Sequence, residues 1–173
     1  MSRRTLAPVA RIRARAWRQT ALHVPGCLPP DQPAPHAGRY HRPGDPWPLY
    51  AALDRDTMWA EWAHATSGAV APDDDPRWVC TLDVDLRVLD LRDAATRRAL
   101  RVSEAQLTGE WAPDAPNPAT LRVMRAAREL GLDGVVVPSA ARPGGWNLAV
   151  LRGAFDRVRT TRRRRETPRP PAP

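Results

Sequence analysis

From Trp78 to Val88 every second residue is apolar: 78, 80, 82, 84, 86 and 88. That period of two predicts a half-buried strand. Its length predicts a bend or turn near Asp85–Arg87. Other apolar runs are shorter. Leu49–Leu53 and Gly134–Pro138 read as buried strands. Trp146–Leu151 reads as a further strand, joined to Gly134–Pro138 across an Ala140–Gly145 turn as a hairpin. Ala16–Val24 could open the fold as a strand, while the first dozen residues show no clean period. Between them lies Pro25–Pro48, whose eight prolines fix φ and remove donors, so it reads as a loop.

Helical spacing is present in two places. Asp54–Thr66 has an N-cap aspartate and an apolar stripe of Met58, Trp62 and Ala65, and Gly68 stops it. Asn117-Pro118 places a cap before a proline at the first helical position; Val123, Met124, Ala127 and Leu130 then share a face, ending at Gly131. Asp93–Arg101 and Ser103–Leu107 read as short helices. The mixture predicts one α+β domain with locally paired strands and helices between, and no internal repeat.

A chain of 173 residues with 42% hydrophobic content fits a single domain with a real core. No apolar run approaches the roughly 18 residues of a membrane helix, and the first residues lack the apolar stretch of a secretory signal. The reading is cytosolic, with Cys27 and Cys80 as buried fillers rather than a disulfide scaffold or zinc ligands. The net charge of +8 is unevenly spread, and all 27 cations are arginine. Residues 1–18 hold six arginines and no acid, and 157–173 hold seven arginines and Glu166, which leaves the middle at −4. The ends therefore read as a basic flexible arm, 1–15, and a disordered Arg/Pro-rich tail, 157–173, around a domain at 16–156. Basic arms can touch nucleic acid through phosphates, and arginine-only usage also fits GC-rich coding.

P-loop, Rossmann and HExxH motifs are absent from the sequence. The histidine pair His36 and His41 is a poor metal pair, and no metal is expected. Glu61 lies about 60° from Met58 at ~100° per residue, at the edge of the apolar stripe. A carboxylate there is partly buried and needs a partner. It is either salt-bridged to an arginine or a catalytic acid. Arg39 stands between glycines in Gly38-Arg39-Tyr40-His41-Arg42-Pro43-Gly44, where backbone can approach a ligand and a guanidinium fork suits phosphate.

Taken in order, GRYHRPG, PLYAALDRDTMWAEWAH and LGLDGVVVPSAARPGGWNLAVL resemble the RES family, named for its Arg, Glu and Ser. The matching residues are Arg39, Tyr50, Glu61, Ser139 and Asn147, and the resemblance spans about 16–152. The family commonly has tryptophan and asparagine where this chain has Tyr40 and His41; Tyr40 can still stack. The resemblance implies a fold similar to ADP-ribosyltransferases: a split, mostly antiparallel sheet with short helices around a cleft. It implies a toxin of a bacterial toxin–antitoxin pair that cleaves the nicotinamide–ribose bond of NAD⁺, with water or phosphate as acceptor. NAD⁺ is then substrate, and no cofactor is implied. The implied partner is a helix-turn-helix antitoxin that plugs the site, possible as an oligomer. By the same resemblance Arg39 binds pyrophosphate, Tyr40 and Tyr50 flank the substrate, Glu61 stabilises the ribose cation, and Ser139 and Asn147 hydrogen-bond the substrate. Two other classes stay open: an ADP-ribosyltransferase acting on a macromolecule, and a non-enzymatic basic nucleic-acid-binding protein.

Overall fold

The computed structural model describes residues 8–112 and 114–171. Among these, the strands are β1 (Val9–Ala21), β2 (Leu49–Ala52), β3 (Arg77–Asp90), β4 (Gly134–Pro138), β5 (Trp146–Val150) and β6 (Val158–Glu166). The α-helices are α1 (Arg55–Thr66), α2 (Ala94–Leu100), α3 (Glu104–Thr108) and α4 (Pro118–Glu129). The strand order β1-β2-β5-β4-β3 closes on itself because β3 also pairs β1, so five strands form a barrel and β6 is added beside β3. β3 and β4 run parallel, and the other pairs run antiparallel. The β1–β3 ladder extends from Val9↔Leu89 to Ala21↔Arg77, whereas β1 and β2 share only Trp17↔Ala52. The barrel is therefore weakest along the β1–β2 seam.

Alternation builds the barrel. On β3, Cys80, Leu82, Val84, Leu86 and Val88 point inward and pack with Ile12 and Ala16 of β1, Val136 of β4 and Leu148 of β5. Each fully buried leucine there contributes about 1.5–3 kcal/mol. A second layer packs Val123, Met124 and Ala127 of α4 and Leu107 of α3 over the other face of β4, at Val135 and Val137. A third packs Met58, Trp59 and Trp62 of α1 against Trp17, Ala52 and Val79. The Asp54 carboxylate caps α1 by accepting from Thr57 N–H at 2.7 Å, a contact typically worth ~1 kcal/mol.

Several expectations are corrected. The sheet closes rather than splitting, because the long β1–β3 ladder links strands far apart in sequence; only β4–β5 is a local hairpin. β1 begins at Val9, inside the segment read as an arm; residues 1–7 lie outside the described residues. Its period of two is carried by alanine and arginine, a weak apolar signal. β6 occupies most of the segment read as a tail. It pairs β3 from Arg77↔Glu166 to Val84↔Val158, with one register shift, by backbone hydrogen bonding that needs no apolar face. β3 runs through Asp85–Arg87 unbroken, since β1 pairs it along its whole length. On α1, Ala65 is exposed and Trp59 is buried instead.

Cys27 and Cys80 are both buried, but they form a disulfide rather than two separate fillers. A sequence separation of 53 gave no hint of their proximity. The bridge ties the proline-rich segment 22–48 to the barrel wall. Among the described residues no helix is long and apolar enough to cross a membrane.

Candidate active site

Glu61 projects from α1 toward the β4–β5 hairpin. Its Oε1 accepts from Ser139 Oγ at 2.6 Å and from Asn147 Nδ2 at 2.5 Å. Among the described residues it has no arginine partner, so the salt-bridge alternative does not hold. Both bonds fall on one oxygen, which leaves Oε2 as the open acceptor. Ser139 Oγ in turn accepts from the N–H groups of Ala141 and Arg142 at 3.2 and 3.1 Å. Its hydroxyl is fully engaged and aims at Glu61.

The hairpin is locked to the helix that carries Glu61. Arg142 Nη1 donates to Asp54 Oδ1 at 3.3 Å and to Thr57 Oγ1 at 3.2 Å. A Cβ at Gly145 would come within 2.4 Å of Thr57 Oγ1, so only glycine lets the turn sit this close to α1. The carboxylate and its two donors thus come from three elements held as one unit.

A cavity of about 420 Å³ opens beside this unit, where β1 and β2 part. Of the sequence-predicted residues, Arg39, Tyr40, Tyr50, Glu61 and Asn147 line it. Ser139 does not line it, although its neighbours Pro138 and Ala140 do. The volume lies within the range of small-molecule sites, ~300–1,000 Å³. A neighbouring cavity of about 400 Å³ shares Arg39, Trp111 and Ala140 with the first. Arg39 stands where the two meet. Its Nη1 donates to the carbonyls of Leu107 and Gly109 at 3.2 and 2.8 Å, which fixes the guanidinium against the end of α3.

The loop carrying Arg39 is braced from below. Tyr50 Oη accepts from Tyr40 N–H at 3.3 Å and meets His41 Nδ1 at 2.7 Å. His41 Nε2 lies 3.1 Å from the His36 carbonyl, which can only accept. Nε2 therefore carries the proton, and Tyr50 donates to Nδ1. Burial lowers the His41 pKa, which keeps this neutral tautomer. Burial also raises both tyrosine pKa values, so both stay protonated. A Cβ at Gly38 would lie 2.1 Å from His41 Cε1, so glycine is required there too. Where the family has asparagine, His41 is a buried brace and not a cavity residue.

Sequence reasoning missed two cavity residues, Arg18 and Trp111. Arg18 was counted with the basic N-terminal segment, and Trp111 stands in a stretch with no periodicity. Among the described residues, Arg18 Nε, Tyr40 Oη and Trp111 Nε1 are all shut off from solvent without a hydrogen-bond partner, and all three side chains line this cavity. Buried polar atoms are usually paired. Three of the six such atoms among the described residues thus belong to the lining of this one cavity.

Comparison with known proteins agrees with this geometry. The family pattern described as "RES domain" matches residues 8–170. A Mycobacterium tuberculosis protein named "Probable NAD(+) phosphorylase" is 34% identical over 167 residues, covering 95% of this chain and 77% of that protein. The crystal structure of the M. tuberculosis MbcT–MbcA toxin–antitoxin complex contains a chain that superposes with a TM-score of 0.75 at 24% identity, over 92% of this chain and 87% of that one. The chain belongs to the RES domain family.

Proposed function

We propose that this protein is an NAD⁺-degrading enzyme that cleaves the nicotinamide–ribose bond and acts as the toxin of a toxin–antitoxin pair. The observation that carries the reading is the Glu61 carboxylate, held by two neutral donors at one oxygen and open at the other, on the wall of a cavity that also holds Arg39. The relative named as an NAD(+) phosphorylase supports the substrate, and the toxin–antitoxin complex among similar structures supports the setting.

The chemistry follows from charge. The C–N bond to nicotinamide breaks with its electron pair going to the ring nitrogen, so nicotinamide leaves neutral. Positive charge develops on the ribose. Glu61 Oε2 accepts from a ribose hydroxyl and stabilises that charge; a preorganised group aimed at developing charge is commonly the largest single catalytic effect. An oxygen of phosphate, or of water, then bonds to the ribose carbon. Phosphate gives ADP-ribose 1″-phosphate, and water gives ADP-ribose and a proton. Ser139 and Asn147 act through Glu61 as positioning residues, Tyr40 and Tyr50 flank the substrate, and Arg39 holds the diphosphate between the two cavities. Kinship with ADP-ribosyltransferases belongs to the same proposal, since transfer to a macromolecule differs only in the acceptor. A helix-turn-helix antitoxin covering the cavity is the partner this reading implies.

The test is incubation of purified protein with NAD⁺, with and without phosphate, following free nicotinamide. Release only with phosphate identifies a phosphorylase, and release in both identifies a glycohydrolase. No release from folded protein in either condition overturns the proposal.

A further inference from the structure

The outer face of the wall formed by β1, β3 and β6 carries arginines that the Glu61 cavity does not use. Directly paired residues of an antiparallel ladder share a face. Arg11, Arg13 and Arg15 of β1 stand opposite Arg87, Asp85 and Asp83 of β3, and Asp83 also stands opposite Arg159 of β6. Past the register shift, Arg162 and Arg164 lie on the same face, opposite Thr81 and Val79. Between Val79 and Arg87 the face thus holds seven arginines and two aspartates, with the exposed Asp156 at its rim. Asp85 is shared by Arg11 and Arg13, and Asp83 by Arg15 and Arg159. Among the described residues Arg87, Arg162 and Arg164 have no carboxylate partner, and all three are exposed. The two aspartates cannot neutralise the face. Its pairs are open to solvent as well: the side chains of Arg13 and Arg159 are 72% and 78% exposed. Such pairs are weak and give way to a stronger anion.

The spacing is that of an array. Alternate residues on a strand recur every ~6.6 Å, and two strand spacings put the β1 row and the β6 row about 10 Å apart. From Val79 to Arg87 the stripe runs about 27 Å along β3. A linear acidic peptide covers one row, whereas cations in two rows match phosphates carried on two strands. The outward positions of this stretch are arginine, aspartate, threonine and valine, without an aromatic ring on which single-stranded bases stack. Val9 and Leu22 are the exposed large hydrophobic residues among those described, too little apolar surface to enter a lipid layer. We propose that this face binds duplex nucleic acid through its phosphates, without reading its sequence. Guanidinium forks suit phosphate oxygens, and phosphate contacts position a protein on a duplex without specifying bases. None of the seven arginines lines the Glu61 cavity, so the surface is separate from the proposed NAD⁺ chemistry and does not rest on it.

Fluorescence anisotropy of a labelled duplex DNA of mixed sequence, titrated with the full chain over a series of NaCl concentrations, tests this. The wild type should bind, and the logarithm of its affinity should fall linearly with the logarithm of salt, by about 0.9 per phosphate contacted. R162A/R164A should weaken binding about tenfold at low salt and make that slope shallower by about two. R98A/R125A removes the same charge from exposed positions on α2 and α4, away from this face, and should stay within about twofold of wild type. R87A, at the other end of the stripe, repeats the test at a single exposed side chain and should make the slope shallower by about one. Melting temperatures confirm that each variant is folded, and R87A decides if the double variant is not. A second duplex of unrelated sequence should bind equally. Competition with the matching single strand, with poly-glutamate and with phosphatidylglycerol vesicles, all at equal total charge, identifies the occupant. The duplex should displace all three. No binding by the wild type, or equal losses in R162A/R164A and R98A/R125A, overturns the proposal, because net charge and not this face would then set the affinity. Tighter binding to the single strand, to poly-glutamate or to the vesicles overturns it too, by giving the face a different occupant.

Discussion

Arg15 and Arg18 stand three residues apart on β1 and belong to opposite faces of it. Arg15 is on the outer face, exposed, with Nε 3.5 Å from Asp83 Oδ1. Arg11 and Arg13 reach Asp85 on the same face, and Arg159 of β6 reaches Asp83 at 2.9 Å. These are solvated cross-strand pairs, weakened by salt and of small effect on stability. Arg18 and Arg39 line the cavity and have backbone carbonyls as their visible partners. These outer-face arginines have their counter-charges built in, whereas among the described residues the two cavity arginines meet backbone carbonyls. A net charge of +8 therefore says little until each arginine is placed. Much of what read as basic arms is the polar side of a barrel wall.

The disulfide gives the largest expected effect on this contrast. Cys80 is the ladder partner of Arg18, and Cys27 belongs to the segment that leads to Arg39. Reduction, or Cys27→Ser, should lower stability by about 2–4 kcal/mol, since the bridge closes a long loop. Thermal melting with and without reductant measures this. KM for NAD⁺ should rise in the reduced form, because the inner site loosens while the outer ion pairs do not. An unchanged melting temperature would break the claim that the bridge braces the site. Arg39→Ala should raise KM for NAD⁺ about 10- to 100-fold, with Arg39→Lys between it and wild type. Equal values for all three would place Arg39 with the outer arginines.

Ser139→Ala should lower kcat about tenfold while KM changes little, since the hydroxyl acts through Glu61. It also leaves the Ala141 and Arg142 N–H groups without their acceptor, so the protein should melt earlier. A changed KM with constant kcat would instead put Ser139 against the substrate. The smallest effect is expected at Asp85. Arg11 holds its carboxyl at about 2, below the roughly 3.9 of an unfolded chain. A depressed carboxyl contributes stability that is present above about pH 4 and lost as pH falls through about 2. Asp85→Asn should flatten that part of the melting-temperature profile slightly and leave nicotinamide release at pH 7 unchanged. A loss of activity in this variant would join the two faces that the account separates.

Local signals were legible, and long-range closure was not. Asp54 and Asn117 announce the starts of α1 and α4, and each side chain does cap its helix. Gly134–Pro138 and the alternation of β3 predict their strands well. β6 carries no apolar period because its side chains are largely exposed, and β1 hides its period in alanines. The resemblance, and not spacing, named Arg39, Glu61 and Asn147 as site residues, and all three line one cavity. Position predicted that Glu61 is partly buried but could not choose its partner, because Ser139 and Asn147 lie 78 and 86 residues away. Arg18 escaped notice because composition assigns an arginine to its neighbours, while parity along the strand assigns it to the barrel interior.

The central claim is that the Glu61 carboxylate carries the cleavage. The most direct measurement is nicotinamide release from NAD⁺ by wild type and Glu61→Gln at matched NAD⁺ and phosphate, with melting temperatures recorded for both. The account predicts equal folding and a rate about 10²- to 10³-fold lower in the variant, as when a preorganised electrostatic group is removed. A Glu61→Gln protein that releases nicotinamide at the wild-type rate would contradict it.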